Sequence, residues 1–182
     1  GEGSDDLTTG AGDDLIAGDG ATVVLSANVA MSATSRSSQG GAGDLINGGD
    51  GDDTILGGAG ADDITGGAGD DRLLGDFGMI DLIAGALTSL DVDQGGDDTL
   101  AGGDGDDIVF GGAGLNVFND TGGSNIVVAG SGGITGGGVV TLDITGPVVD
   151  QVLTGGAGND MIFGGAGNDT IFGLGGNDTI VG

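Results

Sequence analysis

Short apolar triplets recur along the chain every nine residues, separated by polar, glycine-rich stretches. The most regular runs are 48–74 and 155–181, and their shared pattern is G-G-x-G-x-D-x-U-x, where U is a large aliphatic or aromatic residue. Numbered in that order, position eight is apolar in every copy: Leu7, Ile16, Ile46, Ile55, Ile64, Leu73, Leu100, Val109, Phe118, Val127, Ile162, Ile171 and Ile180. Positions seven to nine point outward, inward and outward, so each copy predicts a very short β-strand.

A strand of this length needs neighbours. It buries one side chain, which contributes roughly 1.5–3 kcal/mol and cannot order nine residues alone. Stacking of successive copies into a continuous ladder is the solution for so small a unit. The six residues before each strand form a turn, in which glycine permits positive φ and lets carbonyl groups point inward.

Three segments interrupt the period and predict strand–turn–strand insertions into a single domain, 1–182. We place the insertions at about 18–39, 75–94 and 129–154, although the pattern already weakens from about residue 120. Blocks of repeats then occupy about 1–17, 40–74, 95–128 and 155–182, and the copy that begins at Gly40 is one residue short. The insertions either cover outward apolar side chains of the repeats or form contact surfaces for another molecule.

Composition changes the picture by adding charge. The chain has 48 glycines and 29 acidic residues against Arg36 and Arg72, a formal net charge of −27. Self-repulsion of that size opposes any compact state, so either the chain is unfolded or cations lie among the carboxylates. Nucleic acid and anionic membrane surfaces are poor partners for so negative a chain, and we expect no nucleic-acid binding. No apolar run approaches the roughly 18 residues of a membrane span.

The residue types present restrict the metal. Cysteine and histidine are absent, so thiolate and imidazole ligands are excluded and only hard oxygen ligands remain. Such ligands favour Ca²⁺ over Mg²⁺ or Mn²⁺. The candidate oxygens belong to position six, which is acidic in all but two copies: Asp5, Asp14, Asp44, Asp53, Asp62, Asp71, Asp98, Asp107, Asp160, Asp169 and Asp178. Asn116 and Asn125 replace the acid in the other two copies.

The repeated pattern resembles the RTX (repeats-in-toxin) family of secreted bacterial proteins. The resemblance covers about two thirds of the chain, and many copies in phase make it specific. It implies an all-β fold, a parallel β-roll (β-solenoid), with two nonapeptides in each coil, strands stacked in two parallel sheets, and several Ca²⁺ ions in the turns. It also implies an extracellular or cell-surface location reached by type I secretion.

In such a roll the position-six residues form columns. Carboxylates about 4.8 Å apart repel by about 3 kcal/mol at an effective dielectric constant of 20, so the columns need cations, and metal binding becomes the source of folding free energy. Turn carbonyl groups would complete the shell, near Gly48, Gly49, Gly51, Gly57, Gly58, Gly60, Gly66, Gly67, Gly69, Gly164, Gly165 and Gly167. We expect the calcium column to be weaker at Asn116 and Asn125. The position-five acids, such as Asp13, Asp52, Asp70 and Asp106, are interpreted as solvated charge.

Two functions fit these features. The first is a calcium-binding structural or adhesive module of a secreted or cell-surface protein, able to assemble end to end. The alternative is the C-terminal folding and secretion module of an RTX exoenzyme or toxin. Self-association through the solenoid ends, the insertions or outward apolar residues remains open, and the ends of the chain would join into one nonapeptide, which favours a segment of a longer array or stacked subunits. No carboxylate stands apart from the columns as a catalytic group, so we expect no enzyme.

Overall fold

The computed structural model describes residues 3–26, 29–35, 41–82, 86–89, 95–119, 122–128, 133–135, 139–141, 152–156, 159–165 and 167–182. The regular secondary structure within these ranges consists of β-strands only. In chain order they are β1 (Asp6–Thr8), β2 (Leu15–Ala17), β3 (Ala21–Ser26), β4 (Val29–Ser35), β5 (Leu45–Asp50), β6 (Thr54–Leu56), β7 (Asp63–Ala68), β8 (Arg72–Leu74), β9 (Gly78–Asp81), β10 (Ala86–Ser89), β11 (Thr99–Asp104), β12 (Ile108–Phe110), β13 (Val117–Phe118), β14 (Ile126–Val128), β15 (Gly133–Thr135), β16 (Val139–Thr141), β17 (Val152–Gly156), β18 (Met161–Phe163), β19 (Thr170–Leu174) and β20 (Thr179–Val181).

Fourteen of these strands form a parallel β-roll, which confirms the predicted fold class. The first roll sheet has the order β1-β5-β7-β11-β13-β17-β19, and the second has the order β2-β6-β8-β12-β14-β18-β20. The chain passes alternately from one roll sheet to the other. One strand of the first sheet and the next roll strand of the second sheet make one coil. The coils are β1 with β2 (coil one), β5 with β6, β7 with β8, β11 with β12, β13 with β14 (coil five), β17 with β18, and β19 with β20 (coil seven). Neighbouring strands are parallel and in register, as in Ile46↔Ile64 and Ile55↔Leu73.

The position-eight side chains meet between the two roll sheets as the core. Its buried members are Ile16, Ile46, Ile55, Ile64, Leu73, Leu100, Val109, Phe118, Val127, Leu153 and Ile162, with Leu7 and Ile171 partly buried at the two ends. Leu153 is a core residue that the sequence pattern missed. Ile180 keeps 48% of its surface exposed because it lies on the last strand of its sheet.

The remaining six strands form a separate antiparallel sheet, which we call the hairpin sheet. Its order is β16-β15-β10-β9-β4-β3. The three hairpins follow β2, β8 and β14, so each leaves the roll after a strand of the second roll sheet. They pair with one another edge to edge, through β4 with β9 and β10 with β15.

The hairpin sheet covers the outer face of the second roll sheet. Ala33, Ile80 and Leu87 are neighbours across three hairpin strands, and all three are buried. They contact the position-nine residues of the second roll sheet in one cluster with Leu56, Leu74, Phe110 and Val128. The insertions therefore take the covering role, the first of the two interpretations above, in the described parts of these segments.

The structure also explains the short copy before β5. We call each nine-residue copy a rung, and its preceding and next rungs are the copies stacked on it in the adjacent coils. Gly18 and Asp19 donate their main-chain N–H groups to the carbonyl oxygens of Leu56 and Gly57, as residues at positions one and two of a rung do. The turn resumes at Gly41, whose Cβ position faces the Asp19 carboxylate. The hairpin is thus inserted between positions two and three of one turn, and Gly75, Asp76 and Gly95 repeat this arrangement at the second hairpin.

Candidate metal centre

The position-six residues stack in two columns, one along each set of turns. In each column the side-chain Oδ1 atom accepts the main-chain N–H of the position-six residue in the preceding rung, at 2.8 Å for Asp44 to Asp62 and for Asp53 to Asp71. The same bond links twelve residues in all: Asp5, Asp44, Asp62, Asp98 and Asn116 in one column, and Asp14, Asp53, Asp71, Asp107, Asn125, Asp160 and Asp178 in the other. Asp169 holds the equivalent position before β19 and is half-buried.

In six of these carboxylates the second oxygen is buried without a hydrogen-bond partner. This holds for the Oδ2 atoms of Asp44, Asp53, Asp62, Asp71, Asp98 and Asp160 within the described residues. A buried carboxylate oxygen with no donor costs several kcal/mol in general. Such a recurring, orphaned acceptor requires a positive partner.

Asn116 and Asn125 reveal what surrounds this second oxygen. Their Nδ2 groups stand where Oδ2 stands in an aspartate and donate hydrogen bonds to turn carbonyl oxygens. Asn116 donates to Ala113 at 3.1 Å, and Asn125 donates to Gly122 at 2.7 Å and to Gly155 at 3.4 Å. In the aspartate turns, the ionised carboxylate places an acceptor-only oxygen beside the same kind of acceptors, so a cation is needed to join them.

The glycine at position one shapes the same space. A Cβ atom on Gly48 would overlap Asp53 Oδ2 and the carbonyl oxygen of Gly66 in the next rung. Gly57 and Gly66 have the same surroundings, with Asp62 and Asp71 supplying the carboxylate. These turns therefore enclose a small cradle lined by a carboxylate oxygen and a main-chain carbonyl oxygen of the next rung. Coordination of a metal by the position-six aspartates and the turn carbonyl groups stays a prediction.

Burial dominates the electrostatics of the columns. It raises the pKa of Asp62 to about 8, with a further contribution from the carboxylates of Asp98 and Asp44. Burial likewise raises the pKa of Asp98 to about 7 and that of Asp71 to about 6. The pKa values of Asp44, Asp53 and Asp160 are also raised, again chiefly by burial. The folded columns resist holding bare negative charge.

These oxygens suit a hard divalent cation. Among the residues described, no three acidic side chains converge on one point, so most ligands would be main-chain carbonyl groups. Calcium accepts six to eight oxygens from carboxylates and carbonyls in flexible geometry. A comparison with protein families matches four copies of the RTX calcium-binding nonapeptide repeat at residues 1–22, 39–78, 92–118 and 150–182. The chain belongs to this family.

Membership in the RTX repeat family makes the chain a calcium-binding repeat module. The stretches between the four matched ranges contain the strands of the hairpin sheet, apart from the first two residues of β3 and the first residue of β9. They also contain β14 of the roll. No curated protein matches the chain. No helix among the described residues is long and apolar enough to cross a membrane.

The position-five residues form a second, exposed ladder beside one column. Asp52, Asp70 and Asp106 each donate a main-chain N–H to the Oδ1 atom of the preceding member, at 3.2, 2.9 and 2.9 Å. Asp13, Asp52, Asp70 and Asp106 are all exposed. Their place outside the cradles agrees with their interpretation as solvated charge.

We predict that Asp53→Ala or Asp169→Ala weakens cooperative calcium uptake by about tenfold or more, because each removes a carboxylate from a cradle that needs charge-assisted contacts. Asp52→Ala is the matched control for Asp53→Ala, since it removes an exposed carboxylate one residue away. Calcium titration by isothermal calorimetry distinguishes them. Equal effects of Asp52→Ala and Asp53→Ala would show that the ligand position is wrong.

Asp19 and Asp76 are buried acids that the repeat pattern did not select. Both stand at position two, where regular turns carry a glycine with positive φ, such as Gly49 (111°) and Gly67 (127°). Neither aspartate has a positive φ, and the main chain leaves the roll after each of them. The signal in the sequence was the shared start of the first two insertions, Gly18-Asp19 and Gly75-Asp76.

The two carboxylates replace the hydrogen bonds that the departing chain no longer supplies. In a regular turn, the position-three N–H bonds the position-two carbonyl of the preceding rung, as Asp50 does with Gly10 at 2.9 Å. At the insertions, Ala59 instead donates to Asp19 Oδ2 at 2.7 Å, and Ala113 donates to Asp76 Oδ2. Asp76 Oδ1 also accepts from Gly96 at 3.1 Å, which joins the outgoing and returning chain.

Asp76→Ala is expected to open this junction, because the N–H groups of Ala113 and Gly96 lose a buried acceptor, at a cost of about 1–3 kcal/mol. Hydrogen exchange in calcium should become roughly tenfold or more faster at these two amides. Asp97→Ala, which removes an exposed carboxylate from the same rung, serves as the control. Unchanged protection at Ala113 would contradict the role of Asp76.

The raised pKa values predict that acid stabilises the metal-free roll. The carboxyl pKa is higher in the folded chain than its ordinary value of 3.8, so the stabilisation is complete below that value and is lost as pH rises through about 6 to 8. Circular dichroism of metal-free protein should therefore show more β-structure at pH 5 than at pH 8. Less β-structure at pH 5 would overturn this reading of the columns.

Proposed function

We propose that this chain is a calcium-dependent structural and adhesive module of a secreted or cell-surface protein, and that it folds when its turns bind calcium. The observation that supports this most directly is the pair of columns in which buried Oδ2 atoms face carbonyl oxygens. Each cradle is assembled only when two rungs have stacked, so ligand set and fold form together. Metal binding then supplies folding free energy.

The calcium concentration outside cells suits such a module. Weak extracellular calcium modules have dissociation constants of about 10⁻⁴–10⁻³ M. A chain with this charge would stay unfolded at the much lower calcium levels inside a cell, and an unfolded chain is compatible with export. Family membership supports type I secretion, which we include in the proposal together with an extracellular or surface location.

The faces of the roll favour a structural role. The hairpin sheet and the roll extend along the same direction, which gives an elongated β-roll that bound calcium would stiffen. The last coil has exposed apolar residues, Ile180 at 48% and Val181 at 44%, and its two strands have one unpaired edge each. We propose that these edges pair with further rungs, including those of a second molecule of this chain, to extend the roll into a fibre.

The alternative function is a C-terminal module of an exoenzyme or toxin that folds after secretion. It shares the calcium mechanism and differs in what precedes the repeats, so the flanking sequence distinguishes the two. In neither case do we assign catalysis to this chain. The matched family is a calcium-binding repeat, and the buried carboxylates are engaged in the columns and junctions.

The calcium mechanism is tested by circular dichroism. In excess chelator at pH 8 the chain should give a coil spectrum, and calcium addition should restore β-structure cooperatively, because the columns cannot hold their charge without cations. Magnesium at the same concentration is the control, since it demands a tighter octahedral shell. A β-sheet spectrum that persists without calcium would refute the mechanism.

Self-assembly is tested on the calcium-loaded protein by negative-stain electron microscopy. We expect particles that lengthen with protein concentration into fibres. Replacing Ile180 and Val181 by aspartate should shorten them, because it places charge on the exposed edge, while leaving the β-structure of the roll intact. Discrete monomers of the unaltered chain at every concentration would rule out assembly through the ends.

A further inference from the structure

Coil five differs from the other coils in both of its turns. Asn116 precedes β13 and Asn125 precedes β14, so the two asparagines belong to one coil and interrupt both columns at the same level. They are as deeply buried as the aspartates, with exposures of 0% and 1%. The charge is therefore removed from coil five without a loss of burial.

Each asparagine keeps the hydrogen bond that an aspartate Oδ1 accepts in the column, and it has a donor group in place of the second carboxylate oxygen. The Oδ1 atoms accept the main-chain N–H groups of Asp98 at 2.9 Å and Asp107 at 2.7 Å, as an aspartate Oδ1 would. The Nδ2 groups donate to the turn carbonyl oxygens of Ala113 and Gly122, and Asn125 also reaches Gly155 in the next rung. The amide N–H of the asparagine is thus the partner for the turn carbonyl oxygens, whereas an aspartate turn needs a bound cation for that purpose.

We propose that coil five is a cation-free coil, which Asn116 and Asn125 hold closed by hydrogen bonds and which divides the calcium columns into two blocks. Coils one to four form one block, and coils six and seven form the other, in which the first column lacks an aspartate before β17 because Gln151 stands two residues before the core residue Leu153. The inference rests on the proposed ligation of calcium by the position-six aspartates. It replaces the expectation of a weakened column at these two residues with a different one: these turns are complete without metal.

The division has a consequence for calcium binding. Within a block, each coil supplies part of the next cradle, so filling one site favours filling its neighbour. Across coil five that chain of shared ligands is interrupted, while the core residues Phe118 and Val127 and the parallel strand pairing continue. The two blocks are then joined mechanically but fill with calcium separately.

The first test converts the asparagines into aspartates. The double variant Asn116→Asp/Asn125→Asp should bind more calcium by equilibrium dialysis, one further ion for each residue replaced. It should also need a several-fold higher calcium concentration for half-maximal β-structure, because coil five now requires metal. The matched control is Asn159→Asp/Asn177→Asp, which adds the same charge at exposed position-five sites in the turns of coils six and seven. An unchanged ion count in Asn116→Asp/Asn125→Asp overturns the proposal.

The second test builds a cation-free coil elsewhere. Asp62→Asn/Asp71→Asn places amides in both turns of coil three and should lower the ion count while β-structure still forms with calcium. Asp62→Ala/Asp71→Ala removes the same charge but supplies no donor to the carbonyl groups, so it should fold less completely than the asparagine variant at every calcium concentration. Identical behaviour of the two variants overturns the role of the amide.

The outcomes separate this inference from the proposed function. If the unaltered chain binds no calcium in dialysis, the proposed function fails. If it binds calcium and the asparagine substitutions have no effect on ion number, only the cation-free coil fails.

Discussion

The fold depends on a repeated conflict between burial and charge. Each regular turn takes a carboxylate out of water, uses one of its oxygens to hold the preceding rung, and leaves the other facing carbonyl oxygens. A buried anion among acceptors destabilises the stack, and a divalent cation reverses the sign of that interaction. Since the cradles exist only between stacked rungs, the roll and its ligand sites are one cooperative structure. Burial raises the pKa of Asp62 and Asp98 for the same reason.

The hairpin sheet can run beside the roll because the two structures have the same spacing. Hairpins leave every second coil, and each contributes two strands, so one hairpin strand accompanies each coil at the common distance of about 4.8 Å between neighbouring strands. The inner row Ala33, Ile80 and Leu87 packs in one buried cluster with Leu56, Leu74 and Phe110. This match lets the roll bury one outer face without closing its ends. The coupling of sheet and roll is made at Asp19 and Asp76, where a side chain takes over the main-chain acceptor.

Asparagine and aspartate have different roles at position six of the columns. Both supply an Oδ1 acceptor to the preceding rung, which preserves the stack. They differ at the second atom, where one brings a donor and the other an acceptor. The choice between them at position six therefore sets which coils depend on metal, with little change in shape. Asn125, with bonds to carbonyl groups in its own turn and in the next rung, shows how completely an amide can satisfy that environment.

Much of this protein is determined by its sequence alone, because the repeat is local. A period of nine, glycine at turn positions and one apolar residue per copy predict the short strands and their buried side chains, such as Ile55. The resemblance to RTX repeats implies the two sheets and the position-six columns, such as the one that contains Asp53. The absence of thiolate and imidazole ligands then restricts the metal. What only the tertiary structure decided involves residues far apart in the chain. The partner of Asp44 is Asp62 at 18 residues, but the partner of Asp62 is Asp98 at 36, because a hairpin intervenes. The covering of Leu74, the junction role of Asp76 and the core position of Leu153 arise from such distant pairings, and no local pattern records which strands will meet.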